Sequence, residues 1–288
     1  MAIPETMPEF FKPVYGKYYE ALPDRQAYLA RIGLADTEIP LTREGLDKVL
    51  WAHLSTVPFE NIDLYDYDIR VDFGIPDLFD KIVLRRRGGY CFELNSLFMA
   101  LLEELGFEVY AVGVRILMGG EGFMPAIAHR GSIVLIDGQR FFADVGFGMT
   151  SAAGGSICVD TDELQPVRDE VFSVEDRPYN HKIIFRHKDD GPKPEFTFIP
   201  DPFPLVDFVA YNTSTALSGW RARRIANLRT ADGSISVDGD IFRRTTKGER
   251  IETACVTADD ALKVLTEEFG MVLTEPLREI AINPEFRF

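Results

Sequence analysis

Residues 85–95 read RRRGGYCFELN, and this stretch joins a tight turn to the strongest helical signal in the chain. After Cys91 apolar side chains recur at helical spacing, and Gly106 follows them as glycine often follows a helix. The apolar positions are Leu94, Leu97, Phe98, Leu101, Leu102 and Leu105. Gly88 and Gly89 let the chain turn sharply before the helix. The stretch therefore predicts a helix that begins at Cys91, where unpaired backbone N–H groups favour a thiolate.

The chain on either side of this helix carries two different patterns. Before it, Thr42 introduces an amphipathic helical segment, and Pro76 occupies the expected first position of another helix. After Gly106, β-rich segments follow one another, and Asp137-Gly138 is a typical hairpin turn between two of them. A mixed segment then ends in a capped helix. Helices followed by a run of strands indicate an α+β fold, not an alternating α/β sheet.

Composition excludes some classes of protein. The chain has 288 residues, 46% of them hydrophobic, and a net charge of −15. Because phosphate contacts need basic surface, this charge argues against a nucleic-acid-binding protein and against adsorption to anionic membranes. It leaves room for a small anionic ligand, since the arginines cluster at residues 85–87 and 221–224.

Cysteine usage points to a reducing compartment. The three cysteines, Cys91, Cys158 and Cys255, are odd in number and far apart, which does not suit a disulfide framework. No CxxC or CxxH motif is present, so we expect no metal site. The N-terminal residues lack the pattern of a secretory signal, and no apolar run is long enough to span a membrane. We therefore expect a cytoplasmic protein.

A nucleophilic cysteine needs a base, and four histidines are available. His129 follows a loop and opens a predicted strand, whereas His53 falls on the apolar face of a helix and His181 lies among charged neighbours. Asp144 ends the next strand, so the hairpin would place it beside His129. Because Asp144 interrupts the apolar run RFFADVGF, its carboxylate needs a partner. A Cys91–His129–Asp144 triad is one reading; a buried structural cysteine and a strand-closing Asp-Val-Gly are the alternative.

Four segments, in order, resemble a known family. VPFEN (57–61), RRGGYCFELN (86–95), His129 before an apolar strand and ADVGFG (143–148) resemble the arylamine N-acetyltransferases. The clear resemblance runs from about residue 25 to residue 148.

The resemblance implies three domains with a cysteine-protease-like arrangement of the triad. A helical bundle (1–105) would carry the nucleophile, a β-barrel-like domain (106–210) the histidine and aspartate, and an α/β lid domain would occupy 211–288. Glu60 and Arg87 correspond to family positions that would form a structural salt bridge inside the helical domain.

The resemblance also implies an activity. Cys91 would take an acetyl group from acetyl-CoA and pass it to an arylamine, an arylhydrazine or an N-hydroxyarylamine by a ping-pong mechanism. His129 would withdraw the thiol proton, and Asp144 would fix the tautomer of the imidazole. Acetyl-CoA would be a cosubstrate, with no tightly bound cofactor and no metal. We expect a monomer or a homodimer without nucleic-acid or membrane partners.

Further site residues follow from matching positions. Phe147 and Tyr90 would contact the acceptor substrate. Gly148, Ser214 and Thr215 would contact coenzyme A.

The segment YNTSTALSGW (211–220) departs from the family pattern, because Ala216-Leu217 stands where His-Pro is often found. This difference affects the expected coenzyme contacts. The following arginines, Arg221, Arg223 and Arg224, would either meet coenzyme phosphates or form a solvated face.

Other functions share the same residue types. The acyl donor could be propionyl- or malonyl-CoA, or a carrier-bound polyketide thioester as in the amide synthases of this fold. A cysteine hydrolase or a transglutaminase-like enzyme would use a similar triad, and a binding protein could retain the scaffold without catalysis. Turnover of acetyl-CoA separates the acetyltransferase from the amide synthase, and release of acyl groups to water without an amine would identify a hydrolase.

Overall fold

The computed structural model describes residues 7–117, 120, 124–148, 152–217 and 219–279. The α-helices are α1 (Lys12–Tyr15), α2 (Arg25–Arg31), α3 (Arg43–Leu54), α4 (Ile62–Tyr65), α5 (Ile75–Leu78), α6 (Cys91–Leu105), α7 (Phe208–Ala216) and α8 (Ala258–Glu267). Short 3₁₀ helices lie at Glu9–Phe11, Gly16–Tyr18, Leu205–Asp207 and Gly219–Arg221, and a π-helix continues α5 over Phe79–Leu84. Within these ranges no helix is long and apolar enough to cross a bilayer.

The strands follow mainly after α6. They are β1 (Phe59–Glu60), β2 (Glu108–Ile116), β3 (His129–Ile136), β4 (Gln139–Ala143), β5 (Ile157–Cys158), β6 (Gln165–Val167), β7 (Glu170–Arg177), β8 (His181–Lys188), β9 (Gly191–Phe198), β10 (Ile225–Thr230), β11 (Gly233–Asp238), β12 (Ile241–Thr246) and β13 (Glu249–Ala254). The predicted α+β class is confirmed.

Capping residues close to the helix ends explain why α3 and α6 lie where the sequence predicts them. Thr42 caps α3 by accepting a hydrogen bond from the Gly45 N–H at 3.3 Å. The fifteen-residue helix α6 begins at Cys91 and ends at Gly106, whose φ of 98° lies in the left-handed region that favours glycine. Pro76 is the second residue of its helix, one position later than expected.

Eight antiparallel strands form a nearly closed barrel in the order β5-β4-β3-β2-β9-β8-β7-β6. The two outer strands are joined by one side chain. Gln165 on β6 accepts the Cys158 N–H and donates to the Cys158 carbonyl oxygen, both at 2.8 Å. The predicted Asp137-Gly138 turn joins β3 to β4, with positive φ at both residues.

A second sheet combines distant parts of the chain in the order β1-β10-β11-β12-β13. Phe59 on β1 is opposite Asn227 on β10. Asn61, which follows β1, donates to the carbonyl oxygens of Trp220 and Arg223 at 2.7 and 2.8 Å and accepts the Ile225 N–H. This pairing links the predicted first and third domains, and the domain boundaries remain a prediction.

Two large hydrophobic clusters lie beneath these elements, in addition to a minor group formed by Leu117, Ile183 and Phe185. The larger one extends from α2, α3 and α6 into the interior of the barrel, so the helices and the barrel share a core. The smaller one fills the space between α8 and the second sheet, where Ile235, Val237 and Phe242 meet Ala261 and Leu265. The start of α6 lies in the shared core, next to the barrel strands.

Candidate active site

Cys91 is buried at the first position of α6, and all three cysteines are free thiols. Its Sγ lies 3.9 Å from the carbonyl oxygen of Ala128, the residue that precedes β3. The start of the helix and the start of this barrel strand therefore meet, as the family resemblance implies.

His129 opens β3 with its ring completely enclosed. Its Nε2 lies 2.6 Å from Asp144 Oδ2. Burial disfavours the imidazolium, but the Asp144 carboxylate and the neighbouring Cys91 thiol raise the pKa of His129 to about 10. Because Nε2 faces the carboxylate, Nδ1 is the ring nitrogen left for the thiol. The structure thus brings Cys91, His129 and Asp144 together.

Asp144 is held by neutral donors on its other oxygen. Oδ1 accepts hydrogen bonds from Asn95 Nδ2 and from the Gly146 N–H, both at 2.8 Å. With no fixed cation among these donors, the imidazole is the group that can carry the balancing charge.

Asn95 is a site residue that the sequence reasoning missed. It lies one turn after Cys91 on α6 and is completely buried. Its Nδ2 also donates to the Arg130 carbonyl oxygen at 2.6 Å, and its Oδ1 accepts the Val145 N–H at 3.0 Å. It thereby attaches β3 and the segment after β4 to the helix. A polar residue four positions after the cysteine, within an apolar helix, was the available signal.

Gly146 explains why ADVGFG contains a glycine at this position. A Cβ there would lie 2.8 Å from Cys91 Cα and 2.7 Å from Asn95 Nδ2. The backbone after Asp144 therefore passes directly against the first turn of α6.

Two phenylalanines border the imidazole ring. The Phe147 ring centroid lies 5.9 Å from that of His129 in an edge arrangement, so this predicted substrate residue is placed at the site. Phe196 on β9, which the sequence did not indicate, is parallel to the imidazole, with its centroid 5.8 Å away and an interplanar angle of 9°, and it packs edge-on against Phe147 with the two centroids 4.7 Å apart. These rings keep water from the histidine.

Tyr90 precedes Cys91, but its side chain points into the core. The hydroxyl group donates to Asn212 Oδ1 on α7, and the ring packs edge-on against Phe92. Asn212 Nδ2 in turn donates to the Val71 carbonyl oxygen at 3.0 Å. Contact of the Tyr90 side chain with a substrate remains a prediction.

Gly148 borders a cleft of about 580 Å³ on the polar face of the second sheet. Five basic residues, Arg223, Arg229, Arg243, Lys247 and Arg250, and three acidic residues, Asp169, Asp232 and Asp238, line it. Asn227, Arg229 and Ser234 also line a narrow cavity beside Phe147, so the two spaces adjoin. The other predicted coenzyme residues lie on α7, where Ser214 is exposed and Thr215 is buried.

The three clustered arginines do not behave as one group. Arg224 is completely buried, with Nε 3.0 Å from Asp66 Oδ2, and is neither a phosphate contact nor part of a solvated face. Arg221 pairs with Asp68. Arg223 alone of the three lines the cleft.

A charge cluster lies beneath the other side of α6. It consists of Glu60, Asp63, Lys81, Arg87 and Glu93. Arg87 Nη2 lies 2.8 Å from Glu60 Oε1 and from Asp63 Oδ1, which confirms the expected Glu60–Arg87 salt bridge. Within the described ranges, no group of three histidine, cysteine or acidic side chains is placed to hold a metal ion.

Comparisons with known proteins agree with this geometry. Residues 42–278 match the model of a family described as N-acetyltransferase. An arylamine N-acetyltransferase of Mycolicibacterium smegmatis is 33% identical over 188 residues, which cover 64% of this chain and 67% of that protein. Arylamine N-acetyltransferase 1 of Homo sapiens is 26% identical over 279 residues, covering 88% and 96%.

A solved structure extends the comparison to three dimensions. The Mycobacterium marinum arylamine N-acetyltransferase in complex with CoA superposes with a TM-score of 0.79 at 25% identity, covering 86% of this chain and 93% of that one. The family match, the relatives and the shared fold lead to one conclusion: the chain belongs to the arylamine N-acetyltransferase family of enzymes.

Proposed function

We propose that this enzyme transfers an acetyl group from acetyl-CoA, through a thioester on Cys91, to an arylamine, an arylhydrazine or an N-hydroxyarylamine. One observation carries the proposal: His129 is enclosed between the Asp144 carboxylate and the Cys91 thiol, which together raise its pKa to about 10. An imidazole with this pKa holds the proton at neutral pH, which favours a thiolate–imidazolium pair.

In the first half-reaction, the Cys91 thiolate attacks the carbonyl carbon of the acetyl thioester. The bond from that carbon to the coenzyme A sulfur breaks, and the imidazolium of His129 gives its proton to the departing thiolate. Asp144 keeps the ring oriented throughout, because Asn95 and the Gly146 N–H hold its other oxygen.

In the second half-reaction, the acceptor nitrogen or oxygen attacks the Cys91 thioester. The now neutral His129 takes the proton of the attacking group, and the carbon–sulfur bond breaks to restore the thiolate. We assign Phe147 to the acceptor side, because its ring borders the imidazole and offers an aromatic surface to a planar amine.

The basic cleft beside Gly148 is the proposed site of coenzyme A. Five cationic and three acidic side chains line it, which concentrates cationic groups locally in a chain of net charge −15, although three of the arginines also pair with Glu170 or Glu252. Such a surface suits a cosubstrate that carries several phosphate charges. The narrow cavity that adjoins this cleft reaches Phe147, whose ring borders His129, so we place the thioester end of coenzyme A on this side of the site. Ser214 and Thr215 remain proposed contacts on α7.

The test is the intact mass of the protein after it is mixed with acetyl-CoA and no amine. We expect one acetyl adduct that an added arylamine or hydrazine discharges. Cys91→Ala should form no adduct, and Cys91→Ser should retain less than about a tenth of the turnover, because a serine hydroxyl is far less acidic than a cysteine thiol and a much weaker nucleophile beside an imidazole. Cys158→Ala is the matched control at another buried free cysteine and should be acetylated normally.

The same experiment separates the alternatives. An adduct with propionyl- or malonyl-CoA alone would change the donor, and an adduct with a carrier-bound thioester alone would indicate an amide synthase. Acetylation that persists in Cys91→Ala would contradict the proposed nucleophile.

A further inference from the structure

Glu93 is a buried carboxylate in the first turn of the helix that carries Cys91. Its two oxygens have different partners. Oε2 accepts the Tyr90 N–H at 3.0 Å, and Oε1 accepts a hydrogen bond from Lys81 Nζ at 2.7 Å. The carboxylate therefore joins the residue immediately before the nucleophile to a charge on another element.

Tyr90 needs this contact because it is an unusual residue at the start of a helix. Serine, threonine, asparagine or aspartate commonly occupies this position, where a short side chain accepts a backbone N–H. The Tyr90 hydroxyl is instead bonded to Asn212 on α7. Glu93 thus supplies the side-chain acceptor that orders the turn.

Gly89 shows how closely the carboxylate packs against this turn. A Cβ on Gly89 would lie 2.9 Å from Glu93 Oε2. From the other side, the Glu60 N–H on β1 donates to the Gly89 carbonyl oxygen at 2.9 Å. The backbone before Cys91 is therefore held between Glu93 and β1.

Lys81 anchors the Glu93 carboxylate. It lies in the π-helix Phe79–Leu84, is buried, and binds Asp63 at 2.7 Å as well as Glu93. The charge cluster contains three carboxylates and two cations. Without Glu93 it would contain two of each, so removal of this side chain strands no cation.

We propose that Glu93 is a positioning residue for acetyl transfer. Because its carboxylate is anchored by the Lys81 ammonium and accepts the Tyr90 N–H, it fixes the direction of Cys91 Sγ toward His129. The proposal rests on the proposed function, in which Cys91 is the nucleophile. A displacement of a reacting atom by about 1 Å can lower a rate by about 10²-fold.

The experiment compares variants that differ in reach and in charge. Glu93→Gln keeps the length and an oxygen acceptor without the charge, whereas Glu93→Asp keeps the charge on a side chain one methylene shorter. Glu93→Ala removes both. Glu104→Ala is the control, because Glu104 is exposed near the other end of α6. For each variant, the rate of Cys91 acetylation is measured by intact mass over a range of acetyl-CoA concentrations.

We expect the maximal rate of Glu93→Ala and Glu93→Asp to fall by about 10²-fold, with the half-saturating concentration changed less than about twofold. Glu93→Gln should recover to within about tenfold of the wild type, since its amide oxygen reaches the Tyr90 N–H. Thermal unfolding of each variant reports whether it is folded. If Glu93→Ala does not fold, the comparison of Glu93→Gln with Glu93→Asp still tests whether the reach of the side chain positions Cys91.

Two results would overturn the proposal: a maximal rate for Glu93→Ala equal to the wild type, or a Glu93→Asp variant faster than Glu93→Gln. The second result would show that charge matters and reach does not. Failure of the proposed function looks different, because wild-type Cys91 would then form no acetyl adduct. Alkylation of Cys91 by iodoacetamide, which needs no acetyl-CoA, still compares the variants in that case.

Discussion

Two groups of buried charges flank α6. Both contain buried carboxylates, but the partners of these carboxylates differ in whether they can release a proton. On the barrel side, Asp144 has neutral donors on one oxygen and His129 on the other. On the opposite side, the carboxylates of the charge cluster face Lys81 and Arg87, cations that keep their protons. A buried carboxylate needs a positive partner in either place. Where that partner is an imidazole, it can release the proton; where it is an ammonium or a guanidinium, it forms a rigid support.

We expect the largest effect from a substitution that disrupts the Asp144–His129 pair. Asp144→Asn replaces the charge that holds the imidazolium with a neutral amide, so we expect the rate of Cys91 acetylation to fall by about 10⁴-fold. Because the carboxylate is buried in a hydrogen-bonded network, we also expect a lower unfolding temperature. Intact mass and circular dichroism measure the two effects.

Asp160→Asn is the matched control for this prediction. Asp160 lies on the partly exposed side of the barrel, paired with Arg140 at 2.5 Å. The control should acetylate at the wild-type rate. An Asp144→Asn variant with unchanged turnover would remove Asp144 from the mechanism.

The second prediction breaks the charge cluster. Arg87→Met removes one of two cations and leaves three buried carboxylates facing Lys81. We expect the free energy of unfolding to fall by about 3–5 kcal/mol, measured by urea denaturation. Any protein that stays folded should acetylate Cys91 within about tenfold of the wild-type rate, because Glu93 still binds Lys81.

Arg85→Met is the control, since Arg85 is exposed and pairs with the exposed Asp80. Its unfolding free energy should change by less than about 1 kcal/mol. A loss for Arg87→Met as small as that of the control would show that the cluster does not brace the protein.

We expect the smallest effect in the pH dependence of folding stability, to which Glu93 and His129 contribute in different pH ranges. Burial, opposed by Lys81 and reinforced by Asp63 and Glu60, raises the pKa of Glu93 from 4.5 to about 7. A raised pKa stabilises the folded protein below the ordinary value, so this contribution is lost as pH rises from 4.5 through 7. For His129 the same argument places the loss between 6.5 and about 10.

Urea denaturation at a series of pH values separates the two windows. Glu93→Gln should flatten the decline in its lower window and leave the upper one, whereas His129→Asn should do the reverse. The assignment fails if one variant flattens both windows or neither.

Local patterns account for what could be predicted from the sequence. Helical periodicity and Gly106 set the extent of α6, and the Asp137-Gly138 turn fixes the register that places Asp144 beside His129. Both signals come from residues close together in the chain. The family resemblance added the expectation that this hairpin faces Cys91.

The residues whose roles the sequence did not indicate are positioned by contacts between elements that are distant in the chain. Phe196 reaches His129 because β9 pairs with β2, and Lys81 reaches Glu93 because a π-helix turns it inward. Arg224 is buried against Asp66, although its neighbours suggested a surface cluster. No local pattern in one sequence reports such partners.

The pairing of β1 with β10 has a consequence for the synthesis of the chain. Phe59 on β1 forms a parallel bridge with Gly89, just before the nucleophile, and lies opposite Asn227. The strands that complete this sheet leave the ribosome long after the turn that they cover. Contacts between such distant residues form slowly. We therefore expect a nascent chain that stops before β10 to carry Cys91 without its finished surroundings, and reactivity to appear only upon completion of the last sheet.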